Sequence, residues 1–580
     1  MNREFLIAVE HHRNGRAAEA QAIYRRILLG QPEHADALHM LGLLAAQGGH
    51  AADGIALIER AISIDSSKAD FFADLGLAYA GTGRTSEAIA AYRRAIALDP
   101  ASLSALNNLG NLLKNLGEID EAVTYLHKAS ELRPDLPEPL ANLANALKER
   151  GDLDEALACL RKAASRGDHP QVASNLLFTM HFDPAVTPEQ LFEEHSRWDE
   201  RYAAALAREI QPHRNDRTSD RKLRIGYVSA DLRNHPVGRF MLPLLENHDR
   251  ESFEVFCYSG TRREDETSAR LKSHCDTWRQ IAGTSDAQLA QLIREDRIDV
   301  LVDLAMHTDA GRLLAFARKP APVQVTYLAY CGTTGLRAMD YRLTDPYLDP
   351  PGGNERVYCE RSIRLPRSYW CYQAPADAPP VGALPALSAG HVTFGCFNHA
   401  AKINWHTLRI WRELLACVPK SRLKLHAARG EHRRCIAAFM AEAGIDEARL
   451  EFVDRLPYAQ YLRGYQQIDI ALDPFPYAGG TTTCDALWMG VPVVTLAGQT
   501  AVSRSGASIL SNAGLPELVA RDAREYVRMA AELAGDLDRL RGLRDGMRER
   551  MARSPLLDAH GFARSIELAL RNMWKLWCIQ

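Results

Sequence analysis

Small and apolar residues recur every 34 positions along the first 170 residues of the chain. Glycine occupies one column of this repeat in all five copies: Gly15, Gly49, Gly83, Gly117 and Gly151. A second column is small throughout, with Ala20, Gly54, Ala88, Ala122 and Ala156. Small residues let two helices approach closely and glycine turns the chain between them, as in tetratricopeptide repeats. The pattern predicts an α-solenoid of five helix pairs over residues 1–170.

Two asparagines lie at the same position of successive repeats, on the first helix of each pair: Asn108 and Asn142. Stacked helix pairs form a concave face, and an amide on that face can bind a peptide backbone whatever the peptide's side chains are. We therefore expect protein or peptide partners along the repeats, with Asn108 and Asn142 as peptide-binding residues. The alternative is that both amides are solvated, since earlier copies carry Met40 and Asp74 at this position.

The hydrophobic pattern changes after the repeats. Residues 171–221 are amphipathic or polar and predict a helical linker. Short β-rich apolar runs separated by helical segments then predict one parallel α/β domain over residues 222–385 and a second over 386–555. A Pro- and Ala-rich connector at 374–390 joins them, and a last helix over 556–580 is predicted to pack across both. Open α/β sheets bind ligands at the carboxyl ends of their strands, so we expect a cleft between the two domains.

The stretch DPFPYAGGTTTCDALWMGVP, residues 473–492, is the first candidate for a ligand site. It follows an apolar, strand-like run, and its paired glycines stand where a strand would turn into a helix. A helix start has unpaired N–H groups and a partial positive charge that attract phosphate. The residues predicted to bind a nucleotide diphosphate are Gly480, Thr481, Thr482, Thr483 and, at a ribose hydroxyl, Asp485. The alternative is a threonine-capped helix in an ordinary α/β domain.

Other candidates follow predicted strands. His235 and His307 each end a strand of the first α/β domain, where a neutral imidazole could act as a base or hold a hydroxyl. Each is otherwise a structural histidine. Lys402 follows the first strand of the second domain and could meet a diphosphate as a point charge, or be a surface lysine. The loop CGTTG, with Thr333 and Thr334, permits close approach of a sugar or forms a tight turn.

The missing motifs narrow the chemistry. The glycine-rich stretch is neither GxxxxGK[ST] nor GxGxxG, which disfavours Walker-type hydrolysis and NAD chemistry. No Asp-x-Asp pair stands clearly at a strand end, so we expect no metal. A lysine, a helix start and threonine hydroxyls instead suit a departing diphosphate, as in sugar transfer from a nucleotide-sugar. Tyr458 and Tyr461 could stack on the base of that nucleotide, or could simply pack.

Composition excludes several other classes. The 70 Lys+Arg nearly balance the 73 Asp+Glu, without long charged runs, which argues against nucleic acid or an anionic membrane as the main partner. No apolar run is long enough to cross a bilayer, and the opening MNREFLIAVEHHRNG does not resemble a secretory signal. Eleven scattered cysteines without CxxC pairs suit reduced thiols. We expect a cytoplasmic protein with no cofactor and no metal.

Four segments resemble one known family, the tetratricopeptide-containing protein O-GlcNAc transferases and their Spindly-type relatives. They are NHPVG (234–238), PVQVTYLAYCGTTGLRAMDYRLTDP (322–346), CFNHAAKI (396–403) and PYAGGTTTCDALWMGVPVVTLAG (476–498). The resemblance implies a two-lobed GT-B glycosyltransferase, metal-independent and inverting, after the repeat solenoid. It would transfer GlcNAc from UDP-GlcNAc to Ser or Thr of proteins bound by the repeats.

The resemblance also implies roles for individual residues. They are His235 beside the sugar and acceptor, Lys402 at the diphosphate, His399 at the nucleobase, Thr481 and Thr482 at the phosphates, and Asp485 at the ribose. The sequence departs from the animal enzymes at Gly480, where they have His, and at Tyr458 and Tyr461, where a Lys and a His pack on uridine. The Thr-Thr-Thr-Cys string is closer to the Spindly branch, which implies GDP-fucose. The alternatives are therefore O-fucosylation, glucosylation of Asn from UDP-glucose, and a non-catalytic scaffold that senses nucleotide-sugar.

Overall fold

A computed structural model describes residues 3–580, and the chain divides into two compact units, Met1–Arg150 and Gly151–Gln580. In the described part of the first unit, helices are joined by short turns. Its helices are α1 (Arg3–Arg13), α2 (Ala17–Gly30), α3 (Ala35–Gln47), α4 (Ala51–Ile64), α5 (Ala69–Gly81), α6 (Thr85–Leu98), α7 (Leu103–Leu116), α8 (Ile119–Leu132) and α9 (Pro137–Arg150). The second helix of the fifth pair, α10 (Leu153–Ala164), belongs to the second unit.

The repeat columns behave as the sequence predicts. All five turn glycines have positive φ, between 73° and 90°, a region that favours glycine: Gly15, Gly49, Gly83, Gly117 and Gly151. The alanines of the second column are fully buried. In the one copy with glycine, a Cβ on Gly54 would lie 2.7 Å from the Gly42 carbonyl oxygen, so alanine does not fit there. The prediction of stacked helix pairs is confirmed.

The segment predicted as a linker folds onto the first α/β lobe. It contains α11 (Pro170–Met180) and α12 (Pro188–Trp198), and it continues without regular structure from residue 210 to the first strand. Leu177 and Trp198 are buried in one core with Phe256 and Tyr258 of that lobe. This burial removes apolar surface from water and makes the segment part of the lobe.

The first lobe is a seven-stranded parallel sheet in the order β3-β2-β1-β4-β5-β6-β7. Its strands are β1 (Leu223–Ser229), β2 (Phe253–Ser259), β3 (Thr277–Gln280), β4 (Val300–Asp303), β5 (Val323–Thr326), β6 (Tyr341–Thr344) and β7 (Arg361–Arg364). Its helices are α13 (Pro236–Asn247), α14 (Glu266–Ser273), α15 (Asp286–Glu295) and α16 (Leu313–Phe316). Strands β1 to β3 are added toward one edge of the sheet and β4 to β7 toward the other. This change of side opens a crevice at the carboxyl ends of the neighbouring strands β1 and β4.

The second lobe repeats this topology with six strands in the order β10-β9-β8-β11-β12-β13. They are β8 (Thr393–Cys396), β9 (Arg422–His426), β10 (Leu450–Val453), β11 (Ile470–Leu472), β12 (Val493–Leu496) and β13 (Val519–Ala520). Its helices are α17 (Ala386–Ala389), α18 (Trp405–Cys417), α19 (Glu431–Ala441), α20 (Tyr458–Gly464), α21 (Thr481–Trp488), α22 (Ser505–Asn512), α23 (Ala523–Gly535) and α24 (Leu537–Ala552). Two consecutive doubly wound lobes are the predicted architecture.

The last helix, α25 (Ala559–Cys578), returns from the second lobe to the first. Glu567 accepts a hydrogen bond from the backbone N–H of Asp249, and its Oε1 lies 2.9 Å from Nδ1 of the buried His248. Arg571 donates to the carbonyl oxygen of Arg221, 2.7 Å away. These contacts attach the C-terminal helix to the first lobe. That it packs across both lobes stays a prediction. No helix among residues 3–580 combines the length and the apolar character needed to span a bilayer.

Candidate active site

A cavity of about 1170 Å³ lies between the two lobes of the second unit, at the carboxyl ends of their central strands. Its wall includes Asp231, His235, Tyr330 and Trp370 from the first lobe and Asn398, His399, Lys402, Tyr477, Gly480, Thr481 and Thr482 from the second. Six residues predicted from the sequence therefore meet in one cavity: His235, His399, Lys402, Gly480, Thr481 and Thr482.

The Lys402 side chain supplies a positive charge to this wall. It follows β8 in the short turn Ala400–Lys402, and its Nζ donates a hydrogen bond to the Ala478 carbonyl oxygen, 3.0 Å away. Burial lowers the pKa of Lys402 to about 8, while the nearby carboxylate of Asp473 opposes the shift. The same burial raises the pKa of Asp473 to about 6. An anion entering the cavity would favour the ammonium form of Lys402.

The start of α21 forms the neighbouring part of the wall. The first backbone hydrogen bond of this helix runs from the Cys484 N–H to the Gly480 carbonyl oxygen, so the N–H groups just before Cys484 lie in the unpaired first turn. A Cβ on Gly480 would lie 3.3 Å from the indole ring of Trp370, so a side chain at this position would require that ring to shift slightly.

The three threonines of α21 differ in their surroundings. Thr481 and Thr482 line the cavity, and the Thr482 hydroxyl donates to Oδ1 of Asn398, 2.8 Å away. Thr483 is buried and does not line the cavity. The prediction that Thr483 faces the ligand is therefore wrong. A helix turns successive side chains by about 100°, which directs the third hydroxyl into the interior. Asn398 was missed, although its position just past β8 marks it as a strand-end residue.

Asp485 and Tyr461 also lie behind the cavity wall, contrary to the prediction. The Asp485 carboxylate is 1% exposed, and its Oδ1 accepts hydrogen bonds from the hydroxyls of Tyr372 at 2.7 Å and Tyr458 at 3.1 Å. Burial raises the pKa of Asp485 to about 6. The Tyr461 hydroxyl lies 2.9 Å from that of Tyr465. Two tyrosine hydroxyls thus occupy Oδ1 of this buried carboxylate, so the surrounding side chains would have to move for a ribose to reach it.

His235 stands at the opposite side of the cavity, as the residue that caps α13. Its Nδ1 accepts a hydrogen bond from the Val237 N–H at 3.3 Å and lies 3.7 Å from Oδ2 of Asp231. Burial lowers the pKa of His235, with Asp231 opposing the shift, so the ring is neutral at pH 7. A neutral imidazole whose Nδ1 accepts carries its proton on Nε2. In this tautomer Nε2 can donate to a substrate oxygen but cannot take a proton from one.

A glycine next to His235 holds this turn together. A Cβ on Gly238 would lie 2.1 Å from the Arg233 carbonyl oxygen, so Gly238→Ala should force the turn open. We expect the melting temperature of this variant to fall by roughly 3–10 °C. The matched control is Gly542→Ala, since a Cβ there meets no atom within 4 Å and alanine favours a helix interior. Calorimetric scans in which Gly238→Ala melts no earlier than wild type would contradict the account.

His307, Thr333 and Thr334 do not line the cavity, so the prediction that His235 and His307 face one cleft is wrong. The His307 ring is buried, with Nδ1 2.9 Å from the Ser174 hydroxyl and Nε2 2.8 Å from the Thr334 carbonyl oxygen. The physical reason is the turn after β4, where Asp303 accepts the N–H groups of the next residues and directs His307 toward α11. The hydroxyls of Thr333 and Thr334 donate to the buried carboxylate of Glu360.

The repeat asparagines are only partly exposed. Asn142 donates its Nδ2 to Oδ1 of Asn107 at 2.8 Å, and Asn107 donates to Oε1 of Glu138 at 3.1 Å. Asn108 is half-buried on α7. The amide of Asn142 is thus already part of a hydrogen-bonded row along the repeats. That Asn108 and Asn142 bind peptide stays a prediction.

Comparison with known proteins agrees with both parts of this fold. The family model described as glycosyl transferase family 41 matches residues 201–373 and 384–566. Tetratricopeptide repeat models match residues 5–69, 81–117 and 102–167. Among residues 3–580, no group of three His, Cys, Asp or Glu side chains is arranged to hold a metal ion.

Named relatives include plant proteins. The chain is 38% identical over 422 residues to the probable UDP-N-acetylglucosamine–peptide N-acetylglucosaminyltransferase SPINDLY of Oryza sativa subsp. japonica, covering 71% of this chain and 45% of the rice protein. It is 30% identical over 370 residues to the probable UDP-N-acetylglucosamine–peptide N-acetylglucosaminyltransferase SEC of Arabidopsis thaliana. This match covers 62% of this chain and 38% of the Arabidopsis protein. The chain spans about half the length of the curated relatives it matches.

One solved structure matches most of the chain. It is a lysine-to-methionine mutant of the Thermobaculum terrenum O-GlcNAc transferase, with a TM-score of 0.83 and 37% sequence identity. The match covers 89% of this chain and 99% of the bacterial one. The family model alone matches more than half of the residues, in the region that carries the cavity. On this evidence, the chain belongs to glycosyl transferase family 41.

Proposed function

We propose that this protein transfers GlcNAc from UDP-GlcNAc to Ser or Thr hydroxyls of proteins that its repeats bind. The observation that carries the proposal is the pairing of Lys402 with the start of α21 on one wall of the cavity, opposite His235. An ammonium and unpaired helix N–H groups form a natural diphosphate site. The names of the SPINDLY, SEC and bacterial relatives support GlcNAc as the sugar and a peptide as the acceptor.

The chemistry follows from which groups face the reacting atoms. The acceptor hydroxyl attacks the anomeric carbon as that carbon's bond to the diphosphate breaks, which inverts the configuration. The hydroxyl's proton passes to an oxygen of the departing diphosphate. Negative charge then builds on the diphosphate. Lys402 and the N–H groups of Thr481 and Thr482 stabilise this charge, because they are oriented toward the diphosphate before the reaction begins. His235 holds a hydroxyl of the acceptor or the sugar through its Nε2 proton. We propose that no metal takes part, so a chelator should leave the rate unchanged.

The donor is tested by incubating the purified chain with a peptide mixture and one nucleotide-sugar at a time. The panel is UDP-GlcNAc, GDP-fucose and UDP-glucose, with and without EDTA, and the readout is the intact mass and modified residue of each peptide. We expect a HexNAc mass gain on Ser or Thr from UDP-GlcNAc, unchanged by EDTA. A gain only from GDP-fucose, or a gain on Asn from UDP-glucose, would replace the proposed donor. Donor binding without any product would identify a nucleotide-sugar sensor.

Affinity for a nucleoside diphosphate should fall as the pH rises through about 8. The pKa of Lys402 is about 8 in the free protein, and a bound diphosphate raises it by favouring the ammonium. Below pH 8 Lys402 already carries its positive charge. Above pH 8 a proton must bind to Lys402 together with the diphosphate, so the affinity falls by up to about tenfold per pH unit. Titration calorimetry with UDP between pH 7 and 9.5 measures this slope. Lys402→Met is the control, and a wild-type slope equal to the control's would contradict the assignment.

A further inference from the structure

Tyr477 lies against the charged end of Lys402. The Lys402 Nζ is 4.2 Å from the centroid of the Tyr477 ring, well inside the range of a cation–π contact. Tyr477 precedes Ala478, whose carbonyl oxygen accepts the hydrogen bond from the same Nζ. One short segment therefore contacts the ammonium twice, through a backbone oxygen and through an aromatic face.

The other side of Tyr477 is supported by the helical segment that precedes the first lobe. The ring of Phe182, just after α11, stacks on Tyr477 with centroids 4.8 Å apart and planes 17° from parallel. Phe178 meets Tyr477 edge-on at 6.1 Å. The Phe182 carbonyl oxygen accepts from Nδ2 of Asn404, which also donates to the Phe475 carbonyl oxygen. Side-chain stacking and backbone hydrogen bonding thus attach this segment to the loop that carries Lys402.

We propose that Tyr477 is a positioning residue that holds the Lys402 ammonium toward the diphosphate, and that Phe182 acts through Tyr477. A lysine stem has four rotatable bonds, so an ammonium fixed at one end by an oxygen and an aromatic face is ready to bind before the ligand arrives. Phe182 makes the segment after the repeats a structural part of the donor site. The identity of the ligand in this proposal rests on the proposed function. The contact between Lys402 and the Tyr477 ring does not depend on it.

Two explanations compete with this one. In the first, Tyr477 only fills space; in the second, its hydroxyl contacts the substrate directly. The three explanations differ for two substitutions. Tyr477→Phe keeps the aromatic face and removes the hydroxyl, whereas Tyr477→Leu keeps apolar bulk and removes the face. Positioning through Lys402 requires the Phe variant to behave as wild type and the Leu variant to be impaired.

Titration calorimetry with UDP and with uridine tests this on the full chain. We expect Tyr477→Leu to weaken UDP binding about tenfold and leave uridine binding unchanged. The cation–π contact positions the Lys402 ammonium, and that ammonium meets the diphosphate, which uridine lacks. Phe182→Leu should weaken UDP binding less, and Tyr477→Phe should not change it. In the Lys402→Met background, Tyr477→Leu should cost nothing further, since the effect acts through the lysine. Equal losses for UDP and uridine, or additive losses in the double variant, would overturn the proposal.

A second measurement needs no nucleotide. Lysines carrying 13C-methyl groups on Nζ give an NMR signal for Lys402 that Lys402→Arg identifies by its disappearance. A ring face next to Nζ displaces this signal from its ordinary position; we expect the displacement to persist in Tyr477→Phe and vanish in Tyr477→Leu. A signal already at its ordinary position in wild type would overturn the proposal. If wild type binds neither UDP nor GDP, the proposed function fails, while this spectrum still decides the lysine–aromatic contact.

Discussion

Lys402→Met should lower kcat for sugar transfer by about 10²–10³-fold, the range expected when one preorganised donor to a developing anion is lost. The ammonium is held by a hydrogen bond to the Ala478 carbonyl oxygen, 3.0 Å away, so it needs little reorganisation as charge develops on the leaving diphosphate. Methionine keeps the length and the apolar contacts of the stem but carries no charge. Initial rates at saturating UDP-GlcNAc and peptide measure the effect.

The matched control is Lys420→Met, which removes one positive charge from an exposed position of the same lobe. A change of net charge alone would affect both variants equally and would weaken with salt, because exposed charges are screened. We expect Lys420→Met to retain the wild-type rate. If Lys402→Met retains it as well, the diphosphate does not lie at Lys402.

His235→Ala should lower kcat/KM by about 10²-fold, because a reactive hydroxyl loses the group that orients it. His235→Gln should recover most of that loss, since the glutamine amide can donate at the position of Nε2 while no longer titrating. Burial lowers the pKa of His235, so titration of this ring should not make the wild-type rate rise with pH near 7. Rates of both variants across pH 5.5–8 provide the test.

The opposite result would assign a different role to His235. A general base gives a rate that rises with pH through its pKa, and glutamine cannot replace it. If His235→Gln is as slow as His235→Ala and the wild-type profile shows such a rise, the imidazole takes the proton. The hydrogen bond from Val237 to Nδ1 would then have to break during the reaction.

Features fixed by local backbone chemistry could be predicted from the sequence. The turn glycines of the repeats need positive φ, so their 34-residue spacing alone located the helix pairs. Lys402 and Thr481 lie in the segments that follow the buried strands β8 and β11, and parallel strands bring their carboxyl ends to one edge. For such residues, position along the chain nearly determines position in the fold.

Features fixed by long-range packing could not be predicted in this way. His307 also follows a strand, but the hydrogen bonds from the next turn to Asp303 direct its ring into the interior, toward a helix more than a hundred residues earlier in the chain. Trp370 lines the cavity although it lies outside the four segments that resemble a known family. Asp485 lies one turn beyond the cavity-lining threonines, and only the structure reveals the tyrosines that enclose it.

The central claim is that a nucleoside diphosphate binds between the lobes, on Lys402 and the start of α21. A crystal structure of the full chain with UDP tests it most directly. The account predicts diphosphate oxygens about 3 Å from Lys402 Nζ and from the N–H groups of Thr481 and Thr482. A diphosphate bound elsewhere, with Lys402 still directed only at Ala478, would contradict it.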